Sequence, residues 1–226
     1  MNYILNIHTT AEKAIVNICA EGQVLETLVN NNSKEHASFL HCAIQQILQE
    51  NDIPASQLNA VGVTGGPGSY TGIRVGLATA KGLCFALKIP LMIFNTLELM
   101  AFSAYENIRD KNAWYCPMID ARRMEVFTAV YDAQQNAVIA PSAMVIEENS
   151  FVDLSKMKPA YFFGSGAAKF KDLIVNKPSN YSFTDDGVSS DSLAEFSNHK
   201  FGKSEFENLI SAEPIYIKEF YTPAKK

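Results

Sequence analysis

The sequence predicts a mixed α/β protein built as two halves. Three observations lead there. The chain opens with three β-rich segments joined by short turns. Helix-periodic stripes then alternate with short apolar runs as far as residue 106. A polar stretch, ENIRDKN at 106–112, then separates this part from a second series of strand and helix patterns. Strands alternating with helical patterns build layered α/β architectures.

Residues 2–9 place Tyr3, Leu5 and Ile7 against Asn2, Asn6 and His8, the period of a strand. Ala14 to Cys19 and Gln23 to Asn30 read as further strands. The connection Ala20-Glu21-Gly22 is short enough to make them antiparallel. Ser33 is placed to cap a helix, with Glu35 in its first turn near the positive end of the dipole. Leu40, Ala43, Ile44, Ile47 and Leu48 then form the stripe of an amphipathic helix of about 16 residues. Pro54 closes it. Ala60 to Val63 reads as a buried strand, and Gly65 to Gly72 as a loop opening a second helix that runs to about Leu87. Pro90 to Phe94 reads as a strand, and Thr96 as the cap of a third helix.

The polar linker divides the chain into units 1–108 and 109–226. In the second unit, Trp114–Ile119 and Glu125–Tyr131 form a hairpin around Asp120-Ala121-Arg122-Arg123. Tyr161-Phe162-Phe163 is a strand ending in Gly164-Ser165-Gly166. Helices are expected at 167–175 and 190–200, and Ile215-Tyr216-Ile217 as a late strand.

Composition narrows the function. The 226 residues suit one large domain or two of roughly 110. An apolar fraction of 47% with 19% charged residues excludes a disordered chain. The net charge of -5 opposes stand-alone nucleic-acid binding, which needs excess Lys and Arg. It also opposes attachment to anionic membranes. The longest apolar stretch, Gly82 to Phe94, contains Lys88 and Pro90 and falls short of the ~20 residues a membrane helix needs. The N-terminus lacks the basic start of a signal peptide, so a soluble cytoplasmic protein is expected. Cys19, Cys42, Cys84 and Cys116 form no CxxC pair and read as small apolar residues in a reducing compartment.

The loop Gly65-Gly66-Pro67-Gly68-Ser69-Tyr70-Thr71-Gly72 is the strongest local signal. It follows a strand and opens a helix, where backbone N–H groups and the helix dipole favour anions. It is not a P-loop, which requires a Lys, and its glycines do not fit the dinucleotide spacing. Gly72, Gly76 and Ala80 recur every four residues and leave one helix face almost bare. That face suits close packing, either in the core or against another chain. Both uses remain open beside anion binding.

The segment VTGGPGSYTGIRVGLATAKGL, residues 63–83, resembles the signature of the TsaB family. NYILNIHTT resembles that family's opening strand and turn. Lys34-Glu35-His36 resembles its entry into the first helix, Met118 to Val126 its second-domain hairpin, and Glu213 to Ile217 its C-terminal segment. The resemblance runs through nearly the whole chain in the expected order. It implies an actin-like ATPase fold of two ribonuclease-H-like halves. It implies a non-catalytic relative of the TsaD transferase subunit, taking part in synthesis of threonylcarbamoyladenosine next to the tRNA anticodon. It implies docking of TsaD, and self-association to a homodimer, through the first two helices. A TsaE-type ATPase would join through the complex, and tRNA would be met only indirectly. The expected interface residues are His36, Leu40, Gly72, Arg74, Val75, Gly76, Thr79 and Ala80.

The rival reading is a free-standing nucleotide-binding ATPase using Gly68, Ser69, Thr71, Asp120, Gly164 and Gly166. No cofactor is expected to be required, while ATP or ADP binding is compatible with the loop. Related ATPases, and the TsaB pattern itself, carry an Asp in the first hairpin turn. Here His8 stands there, and imidazole is a poor ligand for magnesium. Asp120 has a second use in shaping the hairpin, and Gly164 and Gly166 in ending a strand. Metal catalysis is disfavoured, since HExxH is absent and His36 and His41 are five residues apart, pointing away from one another on a helix. GxSxG is also absent.

Overall fold

The structure, a computed structural model, describes residues 1–32 and 35–218, with Ser155 described by its backbone alone. Strand β1 (Tyr3–His8) pairs antiparallel with β2 (Ala14–Ala20), and β2 pairs antiparallel with β3 (Gln23–Asn30). Glu21 and Gly22 both take positive φ between β2 and β3, a backbone that favours glycine and fits a two-residue hairpin loop. Helix α1 (His36–Glu50) follows, then β4 (Leu58–Gly66), helix α2 (Tyr70–Leu87), β5 (Leu91–Asn95) and helix α3 (Thr96–Ile108). β4 lies parallel to β1 and β5 parallel to β4, giving the order β3-β2-β1-β4-β5.

The pattern then repeats. β6 (Trp114–Asp120), β7 (Glu125–Tyr131) and β8 (Ala137–Val145) form a second antiparallel meander. Helix α4 (Val152–Ser155), β9 (Ala160–Phe163), helix α5 (Ala167–Leu173), β10 (Tyr181–Thr184) and helix α6 (Ser190–Gly202) complete it. The second sheet runs β8-β7-β6-β9-β10, with β9 and β10 parallel to β6. Each half therefore reads strand 3-2-1-4-5 with helices after its third, fourth and fifth strands. Two such ribonuclease-H-like halves make the actin-like ATPase fold. The halves differ in their outer helices: α1 and α2 have 15 and 18 residues, and their counterparts α4 and α5 have 4 and 7.

Strand period decides the layers. Leu5, Ile7, Val16 and Ile18 face Leu40, Ile44, Ile47 and Leu77 on α1 and α2. Ile4, Cys19 and Phe94 face Leu99 and Phe102 on α3 and Leu193 and Phe196 on α6. Each fully buried Leu or Ile contributes about 1.5–3 kcal/mol relative to exposure. The other face of α3, with Leu97, Ala101 and Ala104, packs on Tyr115, Ala129 and Phe163 of the second sheet. α3 is thus shared by the two halves. Helix α6, which follows β10 of the second sheet, packs against the first sheet and α3.

Several local expectations differ from the structure. The cap expected at Thr96 is supplied by Asn95, whose side-chain oxygen accepts from the N–H groups of Leu97 and Glu98. Ser33 and Lys34 lie outside the described residues. Ile215 to Ile217 is not a strand: Ile215 N–H donates to the Gly65 carbonyl at 2.8 Å, but no ladder forms. β8, α4 and β10 were not anticipated from the sequence. β8 contains Pro141 and lies at a sheet edge, where proline is tolerated. Among the described residues, no helix is long and apolar enough to cross a membrane.

Candidate docking face and the closed glycine loop

The glycine loop lies against the turn between β1 and β2. Ser69 caps α2, its hydroxyl accepting from Gly72 N–H at 3.2 Å. Ser69 N–H donates to the Thr10 carbonyl at 2.7 Å. The Thr9 hydroxyl donates to the Gly72 carbonyl at 2.8 Å. A Cβ on Gly68 would strike the Thr10 carbonyl, and one on Gly72 the Thr9 carbonyl. A Cβ on Gly76 would strike the Thr9 hydroxyl. The glycines let two backbones meet.

The residues expected at the interface divide between the core and the surface. Gly72, Gly76 and Ala80 face the sheet and are buried. His36 and Leu40 are also buried, on the inner side of α1. Val75 and Thr79 are half-buried at the helix flank, and Arg74 is exposed. A side chain pointing into the core cannot meet a second protein.

The outward row of α2 is Arg74, Ala78 and Gly82, on the opposite side of the helix from Gly72 and Gly76. Phe85 follows, 78% exposed. A Cβ on Gly82 would meet nothing within 4 Å. Between α1 and α2 lies an open groove of about 510 Å³, lined by His41, Ile44, Gln45, Ala78, Thr79, Gly82 and Leu83. Of these, sequence reasoning found only Thr79. A signal for the rest was present. Ile73, Leu77, Ala80 and Cys84 form the buried stripe of α2, and Phe85 is a large apolar residue off that stripe.

The six nucleotide candidates are engaged in other contacts or separated. Ser69 and Gly68 close on Thr10 as described. Thr71 is exposed on α2. Asp120 accepts from Lys169 Nζ at 2.7 Å and from Arg122 N–H at 2.6 Å. The Lys169 hydrogen bond holds its carboxyl below the usual carboxylate range. Gly166 N–H donates to the Met118 carbonyl at 3.0 Å, and a Cβ on Gly164 would lie 2.5 Å from that carbonyl. At these turns the Ser69 and Gly166 N–H groups already serve the chain's own carbonyls, those of Thr10 and Met118.

Residues 23–221 match the family described as TsaD, tRNA N6-adenosine threonylcarbamoyltransferase. Curated relatives include the tRNA threonylcarbamoyladenosine biosynthesis protein TsaB of Bacillus subtilis. It is 28% identical over 181 residues, covering 76% of this chain and 74% of the relative. The TsaB of Escherichia coli is 30% identical over 135 residues, 60% of this chain and 57% of the relative. Among solved structures, YeaZ from Pseudomonas aeruginosa superposes with a TM-score of 0.76 at 22% identity, over 96% of this chain and 100% of that one. A Pseudomonas aeruginosa protein described as similar to peptidase YEAZ reaches 0.82, also at 22% identity. The chain belongs to the TsaD family, in its TsaB branch.

In this TsaB-branch chain His8 is the last residue of β1, just before the first hairpin turn, and is 2% exposed. Its Nδ1 has no hydrogen-bond partner among the described residues. Burial first, and the nearby His36 second, push its pKa down to about 4. His8 is therefore neutral at pH 7. His36 Nε2 lies 3.1 Å from the Glu12 carbonyl and donates to it in the matching tautomer. Among the described residues, no group of three or more His, Cys, Asp or Glu side chains is placed to hold a metal ion.

Proposed function

We propose that this chain is a non-catalytic accessory subunit in the synthesis of threonylcarbamoyladenosine in tRNA. It docks a TsaD-type transferase subunit on the outward face of α1 and α2. Membership of the family and the names of the curated TsaB relatives support a part in that pathway.

One observation carries the docking reading. The row Arg74, Ala78 and Gly82 is open, nearly free of side chain past Arg74, and flanked by a groove and by exposed Phe85. Small residues let a partner helix approach closely, and an exposed aromatic supplies an anchor. The same face serves self-association when the partner is absent. A TsaE-type ATPase joins through the complex, in the cytoplasm, and tRNA is reached through the transferase, in keeping with a net charge of -5. ATP or ADP is not required by this chain. The Ser69 N–H held by the Thr10 carbonyl and the Asp120–Lys169 pair support that reading over a free-standing ATPase.

The test is light scattering on a sizing column, with the chain alone and mixed with the TsaD-type subunit of the same organism. A mixed species formed at the expense of a homodimer is expected. Gly82→Arg should weaken that species at least tenfold without lowering the thermal midpoint of the isolated chain. An unchanged mixed species in Gly82→Arg would remove this face as the docking site.

A further inference from the structure

The segment 207–218 crosses from one half to the other, and every stage of the crossing is anchored. Glu207 bridges to Leu91 at the edge of the first sheet. Lys81 Nζ on α2 donates to the Ala212 carbonyl at 2.8 Å, and Ala212 is buried in the first core. Ile215 then lies over the glycine loop. Its N–H donates to the Gly65 carbonyl at 2.8 Å, and its own carbonyl lies 2.5 Å from where a Cβ on Gly66 would stand. Tyr216 packs on Tyr70, with ring centroids 5.8 Å apart, and its hydroxyl accepts from Arg74 Nε at 3.0 Å. Arg74 in turn lies over the Tyr70 ring at 3.9 Å. Ile217 packs into the cluster that α3 shares with the second sheet. Lys218 Nζ reaches Glu125, at the start of β7, at 2.6 Å.

We propose that residues 215–218 are an interlobe latch. They fasten the second half to α2 and cover Gly65 and Gly66, while Thr9 and Thr10 abut Gly68 and Gly72. With the latch seated, the β1–β2 turn and the strap enclose the glycine loop, and the two halves hold one relative orientation. With it released, α3 is left to carry the junction, and Gly65 and Gly66 open to solvent. The physical basis is the division of contacts along four successive residues. Ile215 and Tyr216 hold the first half, Ile217 joins the cluster shared by α3 and the second sheet, and Lys218 holds the second half. The proposal concerns the free chain, although Arg74, which holds Tyr216, also heads the row proposed for docking.

The test uses two spin labels on the full chain. One is placed on Cys42, which is exposed on α1, while Cys19, Cys84 and Cys116 are buried and protected from labelling. The other is placed on Gln134→Cys, at the exposed turn between β7 and β8. The chain with the latch intact should give one narrow distance distribution. The double variant Tyr216→Ala, Lys218→Ser should at least double its width or shift its maximum. Amide exchange at Ile215 and through the glycine loop should rise at least tenfold together. An unchanged distribution, with faster exchange confined to 213–218, would overturn the latch. Should the double variant fail to fold, Lys218→Ser alone decides, because it removes one exposed ion pair and no core contact. A distribution identical to that of the parent would then count against the proposal. Complex formation on the sizing column is read separately and does not enter this outcome.

Discussion

The Thr9 hydroxyl donates to the Gly72 carbonyl at 2.8 Å, and the Thr9 carbonyl occupies the space a Gly72 side chain would need. One residue of the β1–β2 turn thus fixes the approach of α2 to the sheet. The signature glycines are packing residues first, and the helix that they seat presents its other side to solvent.

Glycines of the same helix should therefore respond with opposite signs. Gly72→Ala forces a methyl group into backbone and should destabilise by about 1–3 kcal/mol, in the range of overpacked cores. Gly82→Ala adds a methyl in open space and relieves an interior helical glycine, so it should stabilise by about 0.5–1 kcal/mol. Urea unfolding midpoints of the two variants check both. Equal effects would mean that the two faces of α2 are wrongly distinguished.

His8 makes stability depend on pH. Its pKa is about 4 in the folded chain and 6.5 in the unfolded one. Between these values the unfolded chain takes up a proton that the folded chain refuses. Stability is therefore full above pH 6.5 and falls as pH drops toward 4. At 1.36 kcal/mol per unit, the loss attributable to this group is on the order of 3 kcal/mol. Urea midpoints at pH 7.5, 6 and 5 should decline in the parent chain. The decline should be shallower in His8→Gln, which has no proton to gain, and equal slopes would assign the effect to other groups.

The four cysteines should react unequally. Cys42 is exposed, and the other three are buried. Burial raises the Cys84 thiol to about 11 and pushes the Cys116 thiol up as well. A thiol reagent at pH 8 should modify one group quickly, and the remaining three only on denaturation. Mass spectrometry of the labelled peptide locates the fast site. Rapid reaction at Cys84 would indicate that the C-terminal end of α2 opens in solution.

The sequence by itself determined the first half closely. The strand alternation of residues 3–8 and the stripe from Leu40 to Leu48 are local periodic signals, and the structure has β1 and α1 there. The second half was less legible, because its elements are short or irregular. β10 has four residues, and β8 carries Pro141 at an edge where few side chains are buried. Spacing also revealed a bare face on α2, but α2 has two rows of small residues on opposite sides. Only the meeting of Gly72 and Gly76 with Thr9 decided which row belongs to the core. The C-terminal segment follows the same rule. Ile215-Tyr216-Ile217 has strand composition, but a strand needs a neighbouring ladder, and here the available partner is the single carbonyl of Gly65. Local periodicity fixes what a segment can become; the contacts of distant residues fix which of its faces is buried and which is left exposed.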